Sequence, residues 1–133
     1  MRKTVFFALL MVCSASYAGW EFTTATSDGE FTDYHDKSTI KKKGSIAKMW
    51  IMRDYSTEQI FSEDKTYQSS KMMSAFDCNE DTVAGISIIW YSGALGDGNV
   101  VSTYTIKDSE REWHPIVPGS VDAASWKIAC GKK

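Results

Sequence analysis

Turn signals recur about every ten residues after residue 19, and this spacing constrains the fold more than any other feature. The segments between them are short and rich in aliphatic, aromatic and Thr residues, which is typical of strands in an antiparallel sheet. Asp28-Gly29 is one such hairpin signal. We predict a single antiparallel sheet of about six strands. The strands are expected at 20–26, 30–36, 45–55, 67–78, 82–91 and 100–106.

Polar segments separate the predicted central strands. Lys41-Lys42-Lys43-Gly44 is interpreted as a polar turn, and the acidic segment 56–65 as a connection. The segment 45–55 between them is apolar on both faces, which indicates a central strand. Near the C-terminus, the Pro-containing segment 113–119 is interpreted as stiff irregular chain.

A helix is predicted from Val121 to about Cys130, with Ser120 as its N-cap and Gly131 at its C-terminus. Its expected buried stripe consists of Val121, Ala124, Ser125 and Ile128. Cys130 lies about half a turn from Val121 on the helical wheel, outside that stripe. The predicted fold class is α+β, with this helix packed on one face of the sheet.

The composition is that of one globular domain. Hydrophobic residues make up 43% of the 133 residues and aromatic residues 13%, which is enough for a core and excludes disorder as the bulk state. The net charge of −2 is mildly acidic, which argues against a nucleic-acid partner.

The N-terminus has the pattern of a secretory signal peptide. Met1-Arg2-Lys3 precedes an apolar run at 4–12 and small residues up to Ala18, so cleavage is expected before Gly19. The apolar run is far shorter than the ~20 residues that span a bilayer. The predicted organisation is a signal peptide at 1–18 and one domain at 19–133, with no transmembrane segment after cleavage.

The cysteines suggest an oxidised, exported protein. Cys13 raises the alternative of a lipoprotein, but Val12 is too bulky for the position before an acylated Cys, so lipid anchoring is not expected. Cys78 and Cys130 then remain as an even pair, which favours one disulfide in an oxidising compartment. Two free thiols and an intermolecular link remain as alternatives.

An ordered set of motifs extends from Trp20 to Cys130, over nearly the whole predicted mature chain. The motifs are Trp20; Tyr34, Asp36, Ser38 and Ile40; Lys48-Met49-Trp50-Ile51 with Asp54-Tyr55; Tyr67-Gln68-Ser69-Ser70-Lys71 with Phe76-Asp77-Cys78; Trp90-Tyr91-Ser92-Gly93 with Gly96 and Gly98; and Trp113-His114-Pro115-Ile116-Val117-Pro118-Gly119-Ser120 with Cys130. In their order and spacing, these motifs resemble the surface-adhesin protein E-like domain family of exported bacterial proteins.

The resemblance implies an antiparallel sheet whose C-terminal helix is tied down by a bond between Cys78 and Cys130. It also implies a non-enzymatic binding module at the periplasm or cell surface of a Gram-negative bacterium. The expected partner is a protein, such as a host matrix or serum protein or an envelope protein, and a homodimer remains open. The alternative is a periplasmic structural or accessory protein.

The sequence offers few candidates for chemistry. Asp33, His35 and Asp36 provide too few ligands for a metal site and are interpreted as solvated polar residues. Gly93, Gly96 and Gly98 do not form a phosphate-binding fingerprint, and we expect a hairpin loop there. No catalytic set, metal or cofactor is predicted.

The candidate ligand-binding residues are Lys41, Lys42, Lys43 and Trp113. A basic run of three residues is usually a solvated edge, which is the favoured interpretation of the lysines. For the tryptophans Trp90, Trp113 and Trp126, a place in the core is favoured over a ligand groove.

Overall fold

The computed structural model describes residues 19–133, so the predicted signal segment 1–18, with Cys13, lies outside the described residues. The described chain folds into one antiparallel sheet followed by an α-helix. The strands are β1 (Glu21–Ala25), β2 (Phe31–His35), β3 (Lys41–Lys43), β4 (Ile46–Ser62), β5 (Lys65–Asp77), β6 (Thr82–Tyr91), β7 (Val100–Thr105) and β8 (His114–Pro115), and the helix is α1 (Val121–Cys130).

The sheet has eight strands, not the predicted six. Six of them lie side by side in the order β1-β2-β4-β5-β6-β7, while β3 pairs with β4 and β8 pairs with β6. The two additional strands form because β4 extends beyond β2, and β6 beyond β7, and their backbone groups need hydrogen-bonding partners there. The interpretations of Lys41–Lys43 as a turn and of His114–Pro115 as irregular chain are therefore wrong.

The acidic segment 56–65 is also not a loose connection. β4 continues to Ser62 and β5 begins at Lys65, and the two strands pair up to the turn between them. β2 begins at Phe31, opposite Tyr55, and β6 ends at Tyr91, opposite Ser69. Residues 57–66 therefore continue as a two-stranded ribbon beyond the paired ends of β2 and β6, after a register shift between Asp54 and Gln59, and Phe61 of this ribbon packs against Trp90 of β6.

The helix begins and ends as the sequence predicts. The Ser120 hydroxyl accepts a hydrogen bond from the Ala123 backbone N–H at 3.2 Å, and Gly131 adopts a left-handed conformation with φ of 67°. The predicted stripe is wrong in part: Ser125 is buried and Ile128 packs against the core, but the other buried residues of the helix are Ala123 and Ala129. These side chains are small and let the helix lie close to the sheet.

One face of the sheet packs against the helix to form the main core. Ala129 of α1 belongs to the same buried cluster as Ala47, Met49, Ile51, Phe76 and Val83 of the sheet. Cys78 and Cys130 lie beside this cluster and form a disulfide with a Cα–Cα distance of 5.6 Å. The predicted pairing and the helix packed on one face are thus confirmed.

Candidate binding site

A group of lysines lies on the sheet face opposite the helix. Lys41 pairs with Lys48 across β3 and β4, and Lys43 pairs with Ile46. Since side chains alternate between faces along a strand, and Ala47 packs towards the helix, these residues belong to the other face. The even-numbered residues of β4 therefore lie on this face. Lys48 contributes positive charge, and Ile46 contributes apolar surface next to it.

Two adjoining concavities open on this face. One has a volume of about 390 Å³ and is lined by Lys41, Lys42, Lys43, Ile46, Lys48 and Arg111. The other has a volume of about 460 Å³ and is lined by Ser38, Thr39, Lys41, Lys48, Trp50 and Met73. Because they share Lys41 and Lys48, we treat them together and call them the cationic groove.

The lysines of the cationic groove have no carboxylate partners within residues 19–133. Lys41 lies directly opposite Lys48, and like charges in that arrangement destabilise a sheet. Within residues 19–133, none of the lysines 41, 42, 43 and 48 forms an ion pair. A like-charge pair of this kind, with no compensating contact, is expected mainly at functional sites.

Lys48 and Arg111 are the two groove cations that sequence reasoning missed. Arg111 comes from the segment before β8, and its side chain is only 15% exposed. Its Nη2 donates to Asp108 Oδ1 at 2.6 Å, while the buried Nε has no hydrogen-bond partner in the described chain. An isolated arginine far from the lysines in sequence gives no pattern that would have predicted this position.

The predicted tryptophan candidates are dispersed. Trp113 is 38% exposed and is not among the residues that line the cationic groove. Trp126 packs against the main core, and its indole N–H donates to the Asp77 carbonyl at 3.3 Å. Trp90 is half-buried and contacts Phe61, with ring centres 5.1 Å apart. Trp113 therefore does not line the groove with Lys41–Lys43, and its expected place in the core is wrong.

A buried polar network lies on the helix side of the sheet. Asp33 and His35 are 1% and 3% exposed, so their interpretation as solvated residues is wrong. Asp33 accepts two hydrogen bonds from Arg53, and His35 Nδ1 lies 2.7 Å from the Thr23 hydroxyl. Asp36 instead accepts a hydrogen bond from the Ser38 backbone N–H at 3.0 Å. Among residues 19–133, no three His, Cys, Asp or Glu side chains are grouped to hold a metal ion.

The pKa of His35 is lowered chiefly by burial, which disfavours the charged imidazole. Glu21 opposes this shift, since its carboxylate Oε2 lies 3.5 Å from His35 Nε2. The nearby Lys37 ammonium acts with burial, because its charge repels a protonated imidazole. This arrangement makes His35 a neutral structural residue at ordinary pH.

The glycine-containing loop after β6 is held against the open face. The Ser69 hydroxyl donates to the Gly93 carbonyl at 2.6 Å and accepts from the Gly96 N–H at 2.8 Å. Asp54 Oδ1 accepts from the Leu95 N–H at 2.7 Å. These contacts, and the strands on both sides, agree with the predicted hairpin loop between β6 and β7.

Residues 20–131 match the protein-family model for Surface-adhesin protein E. The chain belongs to this family. No curated protein sequence matches it. In the described residues, no helix is long and apolar enough to cross a membrane.

The fold is similar to solved structures of Haemophilus influenzae protein E at 12% sequence identity. One structure gives a TM-score of 0.60 and covers 86% of this chain and 85% of that chain. A second crystal form gives a TM-score of 0.61, with coverages of 86% and 88%. A structure of protein E from non-typeable Haemophilus influenzae gives 0.56, with coverages of 87% and 79%. At this identity, the similarity establishes the shared fold.

Proposed function

We propose that this chain is an exported, adhesin-like binding protein without enzymatic activity, whose cationic groove binds acidic segments of partner proteins. One observation carries the proposal: cations from three separate segments converge, without local carboxylate partners for the lysines, around an open groove in a net acidic chain. Opposite charges steer and orient a partner, while Trp50 and Met73 supply apolar contact area beside the charges.

Export is the second part of the proposal. Residues 1–18 act as a signal peptide, the mature chain begins at Gly19, and Cys13 carries no lipid. The disulfide between Cys78 and Cys130 supports this, because such bonds persist in the periplasm and at the cell surface. Intact-mass analysis of the purified protein tests it, since a diacylated chain starting at Cys13 would contradict the proposal.

The partners are proposed to be host matrix or serum proteins, or envelope proteins, with acidic surface segments. Membership of the surface-adhesin protein E family supports a protein ligand rather than a substrate. Nucleic acid is a poor candidate, because the net charge of the whole chain is −2.

Binding of immobilised poly-L-glutamate tests the role of the groove. The triple variant Lys41→Gln, Lys43→Gln, Lys48→Gln should lose binding, and the wild-type interaction should weaken as salt is added. The matched control removes three exposed lysines outside the groove: Lys107→Gln, Lys132→Gln, Lys133→Gln. Equal losses in both variants would indicate a nonspecific charge effect and contradict the proposed site.

A panel of matrix, serum and envelope proteins then identifies the partner class, with the same two variants and Trp113→Ala. Trp113→Ala tests the remaining predicted contact, which lies outside the groove lining. Protease treatment of intact cells separates a surface adhesin, which should be removed, from the alternative of a periplasmic accessory protein, which should be spared.

A further inference from the structure

Trp50 lies beside the groove lysines without an aromatic or cationic partner of its own. It follows Lys48 by two residues on β4, so the two side chains lie on the same face, roughly 7 Å apart along the strand. Among residues 19–133, no other aromatic ring packs on Trp50 and no cation lies over it. By contrast, Trp20, Trp90 and Trp126 each have such a partner. Trp50 therefore presents an aromatic surface to the concavity that it lines.

Met73 extends this aromatic surface. It is the cross-strand partner of Trp50 on β5 and lines the same concavity. Side chains of directly opposed residues in an antiparallel sheet lie on one face about 5 Å apart. A thioether also makes favourable contacts with aromatic rings. The volume of about 460 Å³ falls within the ~300–1,000 Å³ range of small-molecule sites, so the concavity suits a flat aromatic group.

Lys41 and Lys48 place positive charge next to this aromatic surface. Both residues line both concavities, and an anion between them would relieve the repulsion of two opposed lysines. Each ammonium has three N–H donors and no acceptor. A sulfate ester has three terminal oxygens, whereas a carboxylate has two. The third oxygen can bind a further cation, since Lys43 and Arg111 line the concavity on that side.

We infer that the cationic groove recognises a sulfated tyrosine within an acidic segment of the partner protein. The tyrosine ring lies against Trp50 and Met73, and its sulfate lies between Lys41 and Lys48. In a tyrosine sulfate the anionic group is attached directly to the ring oxygen, which matches lysines placed next to Trp50 on one face. This inference rests on the proposed function, since it names the chemical group that the groove selects in its acidic partner.

The compartment favours a sulfate over a phosphate as the anionic group. The disulfide between Cys78 and Cys130 supports export, so the partner is met outside the cytoplasm. Tyrosine sulfate is formed on proteins that pass through a secretory pathway and is carried by extracellular proteins. Tyrosine phosphorylation is mainly a modification of intracellular proteins. The ligand is therefore assigned as the sulfate ester.

Fluorescence anisotropy with three labelled peptides tests the inference on the processed, exported protein. The peptides share one acidic sequence and differ at the centre. The first carries sulfotyrosine, the second carries sulfoserine, and the third carries tyrosine with one additional glutamate beside it to match the charge. The wild-type protein should bind the sulfotyrosine peptide about tenfold more tightly than either control, because only this peptide combines the ring with the sulfate. Equal affinity for the sulfotyrosine peptide and either control would overturn the inference.

Variants at Trp50 test where the ring binds. Trp50→Leu keeps an apolar side chain but removes the ring, so the tenfold preference should fall to about onefold. Trp50→Tyr keeps an aromatic ring and should retain most of the preference. The control Trp113→Leu changes a tryptophan outside the groove lining and should retain all of it. Because the preference is a ratio of two affinities of one protein, a partly unfolded sample lowers both affinities and leaves the ratio unchanged. A Trp50→Leu variant with the full preference would contradict the assigned ring position.

Poly-L-glutamate binding separates this inference from the proposed function. The triple variant Lys41→Gln, Lys43→Gln, Lys48→Gln should lose binding of poly-L-glutamate and of all three peptides. A wild-type protein that binds poly-L-glutamate through these lysines but does not prefer the sulfotyrosine peptide would refute the inference alone. A wild-type protein that does not bind poly-L-glutamate would refute the proposed function itself.

Discussion

Asp33 and Arg53 form a two-point ion pair across β2 and β4. Arg53 Nε lies 2.8 Å from Asp33 Oδ1, and Nη2 lies 3.0 Å from Oδ2. The guanidinium also lies over the Phe31 ring, 3.9 Å from its centre. Because Asp33 is buried, its charge depends for compensation on Arg53, its one ion-pair partner among residues 19–133.

The first prediction follows from that dependence. Arg53→Met should lower the free energy of unfolding by about 3 kcal/mol, because it leaves the buried Asp33 carboxylate unpaired. The double variant Asp33→Leu, Arg53→Met should be more stable than Arg53→Met alone, since no charge is then left without a partner. Urea unfolding of the three proteins measures this, and a double variant less stable than the single one would contradict it.

A second prediction concerns pH and His35. Its pKa in the folded protein is lowered from the ordinary value of 6.5, chiefly by burial, so the unfolded chain takes up a proton first as the pH falls. This contribution to stability is present above pH 6.5 and is lost as the pH falls from there towards the folded pKa. Urea unfolding between about pH 7.5 and about pH 5.5 should show this loss.

The variant His35→Gln provides the control for this pH dependence. It removes the titrating imidazole, so the unfolding free energy should change less over the same pH range, whatever its absolute value. Glu21→Gln removes the carboxylate that favours protonated His35, so it should steepen the loss at low pH. If Glu21→Gln instead flattened the profile, the assigned roles of Glu21 and His35 would be wrong.

Local sequence signals predicted the helix and the hairpins, but not which strands lie side by side in the sheet. The Ser120 cap, the Gly131 terminus and the antiparallel hairpins follow from short stretches of sequence, and they are present in the structure. Lys41–Lys43 was misinterpreted because a run of charge resembles a turn, whereas pairing with β4 decides its conformation. The pairing of Lys41–Lys43 with β4 depends on where β2 ends along β4. No local sequence pattern indicates that point.

The site was predicted only in its local part. Lys41, Lys42 and Lys43 are adjacent in sequence, but Lys48 joins them through strand register and Arg111 through the path of the chain after β7. The buried face of α1 was missed in part for a similar reason, since Ala123 and Ala129 are buried for their small size rather than for hydrophobicity. Both features depend on tertiary packing.

The third prediction concerns the disulfide. Cys78 and Cys130 are 52 residues apart in sequence, and closing a loop of that size stabilises a fold by about 4 kcal/mol in the chain-entropy model. Cys78→Ser or Cys130→Ser should each lower the unfolding free energy by about 2 to 5 kcal/mol. Hydrogen exchange should rise first in α1, because the bond fastens the helix to the end of β5.

Thiol titration of the unfolded, non-reduced protein provides the matching chemical check. It should find no free thiol in the mature chain, because both remaining cysteines are in the bond. Two reactive thiols would contradict the pairing. Reduction of the wild type should reproduce the hydrogen-exchange pattern of the serine variants, and adding reductant to those variants should change nothing further.

The last prediction concerns the role of charge at the cationic groove. Lys41, Lys43 and Lys48 form no ion pair within the described chain, so their attraction for an acidic ligand is not offset locally. The wild-type protein should therefore bind poly-L-glutamate but not a neutral poly-glutamine peptide of equal length, and the affinity for poly-L-glutamate should fall as salt is added. The triple variant Lys41→Gln, Lys43→Gln, Lys48→Gln should bind neither peptide. Equal binding of the two peptides by the wild type would show that charge does not decide recognition at the groove.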